Sequence, residues 1–164
     1  MKTEQIFGPK TKPYEILEFE SMLRYEDAQM FGERGFEKGG QVIITRAPAR
    51  LDVMGGIADY CGANVFELTL GRAAIAGCQA RNDRLLMALS FEIQREGNQP
   101  GIQISIDDFY ANGNLKSYQQ IHQFFKQNPK TAWAGYVLGG FYALLKEKCI
   151  DHLPHGATIV IKSN

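Results

Sequence analysis

The sequence predicts an α+β domain in which strands come first and helices pack over one face of the sheet. A β-branched run, Val42-Ile43-Ile44, indicates an early buried strand. Further along, Ile102, Ile104 and Ile106 alternate with polar residues, which is typical of a strand with one buried face. Near the end, apolar residues recur at helical spacing over 133–145, which predicts an amphipathic helix.

Composition and charge restrict the function classes. The chain has 164 residues, and 18 Lys plus Arg balance 18 Asp plus Glu. A net charge of zero argues against binding to nucleic acid or to an anionic membrane surface. The longest apolar stretch, 131–145, is shorter than the roughly 20 residues that span a bilayer. The polar N-terminus is no secretory signal. Three cysteines without a C-x-x-C pair suit a reducing compartment, so we expect a cytoplasmic protein.

The first part of the chain divides at residue 40. Residues 1–40 are predicted to be an N-terminal helical extension, with a helix over 14–31 that ends among glycines. A strand at 41–45 opens the domain 41–164. Small residues, Pro and Gly predict a loop over 46–62.

The remaining elements follow from periodicity and turn residues. Asn128 and Pro129 are predicted to be the N-cap and the first residue of the helix that carries the apolar stripe. A helix is predicted over 115–127 before it. The other predicted elements are strands, over 65–70, 73–80, 85–93, 102–106 and 157–161.

Several common site motifs are absent from the sequence. It has no Walker-type phosphate loop, no G-x-G-x-x-G, no H-E-x-x-H and no G-x-S-x-G. Three nearby residues are of types that can bind a metal ion: Cys149, His152 and His155. However, Pro154 interrupts the segment and a fourth ligand is not evident. We therefore interpret them as loop residues, and no metal site is predicted.

Residues 46–62 contain the side chains best suited to chemistry. The Asp59 carboxylate can accept hydrogen bonds from two neighbouring hydroxyls of a polyol. The Arg50 guanidinium can offset negative charge as a hydroxyl attacks a phosphoryl group. The alternative is a glycine-containing loop in which Asp59 caps a turn and Arg50 is paired on the surface.

The same segment resembles a family signature. The first signature of the galactokinase branch of the GHMP small-molecule kinases is similar to this segment. The matching residues are Ala47-Pro48-Ala49-Arg50 and, after four further residues, Gly55-Gly56-Ile57-Ala58-Asp59-Tyr60. That signature contains Ala-Pro-Gly-Arg, a short apolar run, Gly-Glu-His, one residue and Asp-Tyr. The version here is especially similar to L-arabinokinase-like sugar kinases. Residues 133–140 and 159–164 resemble the helix before the family's phosphate loop and the strand that leads into it.

The resemblance implies a fold and an activity. The fold would be the N-terminal domain of a GHMP kinase, which resembles the second domain of ribosomal protein S5, with a mixed sheet and helices over one face. The chain would be the N-terminal portion of that domain, incomplete at its C-terminal end. The complete enzyme would be an ATP-dependent sugar kinase that phosphorylates a monosaccharide hydroxyl, at C1.

The resemblance also assigns site residues. Arg50 would be catalytic, placed near the reacting hydroxyl, and Asp59 would bind sugar hydroxyls. Gly56 and Ile57 replace the family's Glu-His pair, and this loss of polar groups favours a pentose such as L-arabinose over galactose. The substrate-binding residues implied are Asp59, Gly55, Gly56, Ile57 and Tyr60, of which Tyr60 is expected to pack beside Asp59.

The cofactors implied are ATP and Mg²⁺. The Gly/Ser-rich loop that holds the ATP phosphates is expected to begin just beyond Asn164, and the catalytic aspartate further on, so no cofactor-binding or metal residue is assigned here. The implied partner is a monosaccharide, and the oligomeric state stays open. Two alternatives remain, a non-catalytic sugar-binding or regulatory galactokinase homologue and an interaction domain without a small-molecule site.

Overall fold

The computed structural model describes most of the chain. The described residues are Gly8, 13–25, 35–37, 39–90, 92–93 and 97–163, without the side chains of Arg24, Tyr25 and Asp59. Most of the first 12 residues of the predicted extension, and the end of its predicted helix at 26–31, lie outside these residues.

A five-stranded mixed sheet forms the body of the protein. Its strand order is β1-β2-β7-β3-β4, with one parallel pair, β3 with β7. A separate two-stranded ribbon, β5-β6, lies between β4 and the second helix along the chain. The strands are β1 Ile43–Met54, β2 Phe66–Ala80, β3 Leu85–Ser90, β4 Gly101–Ser105, β5 Tyr110–Ala111, β6 Asn114–Leu115 and β7 Ala157–Ser163.

The predicted loop over 46–62 is wrong in its first half, because β1 continues to Met54. β1 and β2 form one long antiparallel hairpin, so the two strands predicted over 65–70 and 73–80 are a single strand. Pro48 suggested a loop, but β1 is an edge strand, where a missing N–H is tolerated. A register irregularity follows it, between Pro48 and Arg50.

Helices lie against both faces of this sheet. Helices α2, Tyr118–Lys126, and α3, Gly135–Lys146, pack with β3, β4 and β7 around a core that includes Leu86, Ile104 and Leu138. The predicted cover of one face of the sheet by helices is thus confirmed for α2 and α3. On the other face, α1, Tyr14–Tyr25, buries Phe19 and Leu23 in a second core.

The start of α3 differs from the prediction. A 3₁₀ turn over Ala132–Ala134 precedes α3, which begins at Gly135. Asn128 does not cap it, because its Oδ1 accepts a hydrogen bond from the Lys130 amide at 3.0 Å. This local turn competes with helix formation, a common behaviour of Asn side chains. By contrast α2 begins with a complete capping box between Ser117 and Gln120.

A short hydrogen bond joins the start of α2 to the end of α3. The Tyr118 hydroxyl donates to Glu147 Oε1 at 2.6 Å, and this bond, with desolvation, raises the pKa of Tyr118 to about 12. Because the pKa is raised from an ordinary value of about 10, the stabilisation is present below pH 10 and is lost as the pH rises through 12.

We expect the tyrosinate absorbance of the protein to report this shift. The titration of wild type minus that of Tyr118→Phe should show a midpoint near pH 12, and Glu147→Gln should move it back toward 10. A difference titration already centred on the ordinary tyrosine value in wild type would contradict the Tyr118–Glu147 bond.

Candidate functional site

The outer half of the β1–β2 hairpin has two chemically different faces. Along β2, Phe66, Leu68 and Leu70 alternate with Glu67 and Thr69, and alternate residues of a strand point to opposite faces. We call the side with Arg50, Asp52, Glu67 and Thr69 the polar face, and the side with Leu51, Phe66, Leu68 and Leu70 the apolar face. The apolar face is exposed, and contiguous apolar surface of this kind typically contacts another surface.

Arg50 lies on the polar face and is paired across the hairpin. Its Nη1 donates to Glu67 Oε2 at 3.0 Å, while the Arg50 side chain remains 65% exposed. The pair is diagonal, since Arg50 lies opposite Thr69 and Glu67 lies opposite Asp52. Sequence reasoning missed Glu67, because its position beside Arg50 depends on the register of the hairpin. The surface pairing of Arg50 is what the alternative interpretation expected.

The connection over residues 55–65, which we call the turn, joins the two strands of the hairpin. Gly55 has a φ of +93°, which favours glycine, and its carbonyl accepts a hydrogen bond from the Ala58 amide at 2.7 Å. A 3₁₀ helix follows over Ala58–Cys61, and Gly62 ends it with a φ of +71°. The glycines predicted from the sequence therefore form the backbone of a compact turn beside Arg50's strand.

The predicted substrate residues all belong to this turn. Gly55 and Gly56 carry no side chain, and Ile57 is 87% exposed. Tyr60 is 92% exposed, so the expectation that it packs is wrong. Asp59 lies in the 3₁₀ helix, and its side chain is outside the described part of the chain. The structure thus brings these residues into one turn next to the polar face.

Asp52 is a further acidic residue at this turn that sequence reasoning did not assign. Its carboxylate lies directly over Gly56, where a Cβ would coincide with Asp52 Oδ2. The sequence alone gives no signal for this contact, because it depends on how the turn folds back over β1. Asp52 as a residue is exposed.

Two other cations near the hairpin are held by α1. Arg46 Nη2 contacts Glu15 Oε1 at 3.0 Å, and Lys162 Nζ contacts Glu18 Oε2 at 2.7 Å. The Lys162 side chain is 8% exposed. Although it lies near the end of β7, this paired ammonium is not free to bind a phosphate. Arg50 therefore differs from both in its exposure.

The described residues contain neither a candidate metal centre nor a helix that could span a membrane. Within them, no three His, Cys, Asp or Glu side chains are grouped so that they could hold a metal ion. Across the same part of the chain, no helix has both the length and the apolar character to cross a membrane. For the residues described, the hairpin and its turn remain the candidate site.

The chain is similar to a curated protein. The chain is 30% identical to an L-arabinokinase from Arabidopsis thaliana over 65% of its own length, which is 12% of that protein. The chain therefore spans a small part of the length of the relative it matches. No family model matches the chain.

The fold has a solved counterpart. The structure matches a galactokinase from Lactococcus lactis, solved in complex with galactose, with a TM-score of 0.59 and 19% sequence identity. The match covers 88% of this chain and 31% of that one. The predicted α+β fold with a mixed sheet is thereby confirmed. The resemblance seen in the sequence agrees with the 30% identity to an L-arabinokinase.

Proposed function

We propose that this chain is the N-terminal, sugar-binding portion of an ATP-dependent kinase that phosphorylates a monosaccharide, at its C1 hydroxyl. The observation that carries the proposal is the β1–β2 hairpin. Its strand β1 presents the exposed Arg50 guanidinium and continues into a turn that contains glycines. The similarity to an L-arabinokinase supports it. In this proposal residues 1–40 are a helical extension, residues 41–164 belong to the kinase domain, and the protein is cytoplasmic.

Arg50 would act on charge. ATP with Mg²⁺ would supply the transferred phosphoryl group, and the residues that hold both lie outside this chain in the proposal. The Arg50 guanidinium is exposed on β1, so it can approach a sugar hydroxyl whose oxygen becomes negative as that oxygen attacks the phosphoryl group. Its ion pair with Glu67 is exposed and therefore weak, so the guanidinium can leave Glu67 to meet the reacting oxygen.

The turn would orient the sugar. Asp59 would accept hydrogen bonds from the sugar hydroxyls. Gly56 and Ile57 present no polar side chain to a hydroxymethyl group. A pentose such as L-arabinose lacks that group and fits this turn better than galactose.

The second candidate function is a non-catalytic sugar-binding or regulatory protein. The Arg50–Glu67 pair favours it, because a guanidinium already paired at 3.0 Å has less charge to offer to a reacting oxygen. Both functions use the same turn for the sugar. They differ in whether Arg50 leaves Glu67 during turnover.

A panel of sugars tests the proposal. The complete gene product should convert a pentose to its 1-phosphate with ATP and Mg²⁺, which phosphorus NMR of the product would identify. Saturable sugar binding in calorimetry without any phosphorylation would favour the regulatory function. Absence of both binding and turnover across pentoses and hexoses would overturn the sugar site.

The turn sequence should set the preference between pentose and hexose. Gly56→Glu together with Ile57→His introduces the Glu-His pair of the galactokinase signature. We therefore expect the ratio of kcat/KM for galactose to kcat/KM for L-arabinose to rise. A discrimination of roughly tenfold is reasonable for one added hydrogen-bonding contact. The control is Ile43→His, a similar exposed change at the far end of β1. An unchanged pentose-to-hexose ratio would count against this turn as the sugar pocket.

A further inference from the structure

The strand β1 provides a second carboxylate to the turn. Asp52 comes two residues after Arg50, on the same polar face, and lies opposite Glu67 in the hairpin register. Arg50 contacts Glu67 and not Asp52. Among the described residues, no hydrogen bond or ion pair involves the Asp52 carboxylate. It is therefore an exposed acceptor without a partner beside the predicted sugar turn.

The position of this carboxylate depends on a missing side chain. A Cβ at Gly56 would coincide with Asp52 Oδ2, so any other residue at position 56 must move the carboxylate away. Gly56 does not have a positive φ, and its backbone would accept alanine without strain. The close contact with Asp52 is therefore a separate reason for glycine at this position.

This arrangement is unfavourable for the fold alone. Like charges directly opposite each other in an antiparallel pair are destabilising, and Asp52 is opposite Glu67. Arg50 offsets the charge of Glu67 and leaves that of Asp52 uncompensated within the described residues. Local features that oppose stability in this way are typical of functional positions.

We propose that Asp52 determines substrate specificity by accepting a hydrogen bond from a sugar hydroxyl across the bare backbone of Gly56. The inference rests on the proposed sugar-binding function of the turn. A carboxylate can accept from two adjacent hydroxyls, and a charged acceptor gives the stronger hydrogen bonds. The Asp52 carboxylate reaches over position 56 from β1. It would therefore meet a different sugar hydroxyl from the one that an acceptor on a side chain at position 56 would meet.

Two substitutions separate the charge of Asp52 from its position. Asp52→Asn removes the charge, and Gly56→Ala displaces the carboxylate while leaving its chemistry intact. We expect either to raise the KM and the calorimetric Kd for the sugar by roughly 10- to 100-fold, with the KM for ATP unchanged. Asp151→Asn, an exposed loop change, is the control for loss of one negative charge.

The double variant is the decisive comparison, made in the complete gene product. If both changes act through one contact, Asp52→Asn with Gly56→Ala should bind sugar no more weakly than Asp52→Asn alone. Losses that multiply, or an Asp52→Asn variant with wild-type sugar affinity, would overturn the inference. If the wild-type protein neither binds nor phosphorylates any sugar, the proposed function fails instead.

Discussion

Replacing Arg50 with alanine is expected to lower kcat for sugar phosphorylation by roughly 100- to 1,000-fold, the range found when one preorganised charge-stabilising donor is removed. The fold should be little affected, because the Arg50–Glu67 pair is exposed and exposed ion pairs contribute about 0–1 kcal/mol. The variant should therefore melt near the wild-type temperature and still bind sugar. Steady-state kinetics with a thermal melt checks both parts.

A neighbouring arginine provides the control for this experiment. Arg72→Ala removes an exposed guanidinium from β2, and we expect it to leave kcat near the wild-type value. An Arg50→Ala enzyme with wild-type kcat would remove the catalytic role. An Arg50→Ala variant that binds sugar normally, in a protein whose wild type has no kinase activity, would support the regulatory function.

Gly156→Ala is expected to destabilise the protein by about 3 kcal/mol or more. Gly156 is buried, and a Cβ there would collide with the backbone of Leu85. Its amide donates to the Asp83 carbonyl at 2.6 Å, and its carbonyl accepts from the Arg81 amide at 3.0 Å. These bonds prevent the chain from moving aside without disturbing the parallel pairing of β3 with β7, which begins at Ala157.

A second glycine gives the matched control. Gly140 is exposed in α3, and a Cβ there meets no atom within 4 Å. Gly140→Ala should therefore be neutral or stabilise the protein by about 0.5–1 kcal/mol, because alanine favours helix. Chemical denaturation of both variants measures the difference. A Gly156→Ala protein as stable as Gly140→Ala would show that the Leu85–Gly156 contact does not constrain the fold.

The regular elements of the core could be predicted from the sequence. The alternation of Ile102 and Ile104 corresponds to β4, and the apolar stripe corresponds to α3. These patterns are local, so they can be read from the sequence without knowing which elements pack against them. The strand character of 46–54 is not local, because it arises from pairing with β2 across the hairpin. Composition there is typical of a loop, and the tertiary pairing overrides it.

The candidate site could be predicted in part. The sequence predicts a glycine-containing loop that includes positions 55 and 62, and both glycines have a positive φ, which favours glycine. The contacts of Arg50 with Glu67 and of Asp52 with Gly56 could not be predicted, because each depends on register or on the path of the turn. The exposure of Tyr60 was not foreseen for the same reason.

A crystal structure of the complete gene product with L-arabinose tests the central claim most directly. We predict the sugar at the Gly55–Gly62 turn, with hydroxyls within hydrogen-bond distance of Asp52 or Asp59 and with the Arg50 guanidinium facing the reacting hydroxyl. Sugar bound away from the turn, with Arg50 still held by Glu67 and both carboxylates directed elsewhere, would contradict it.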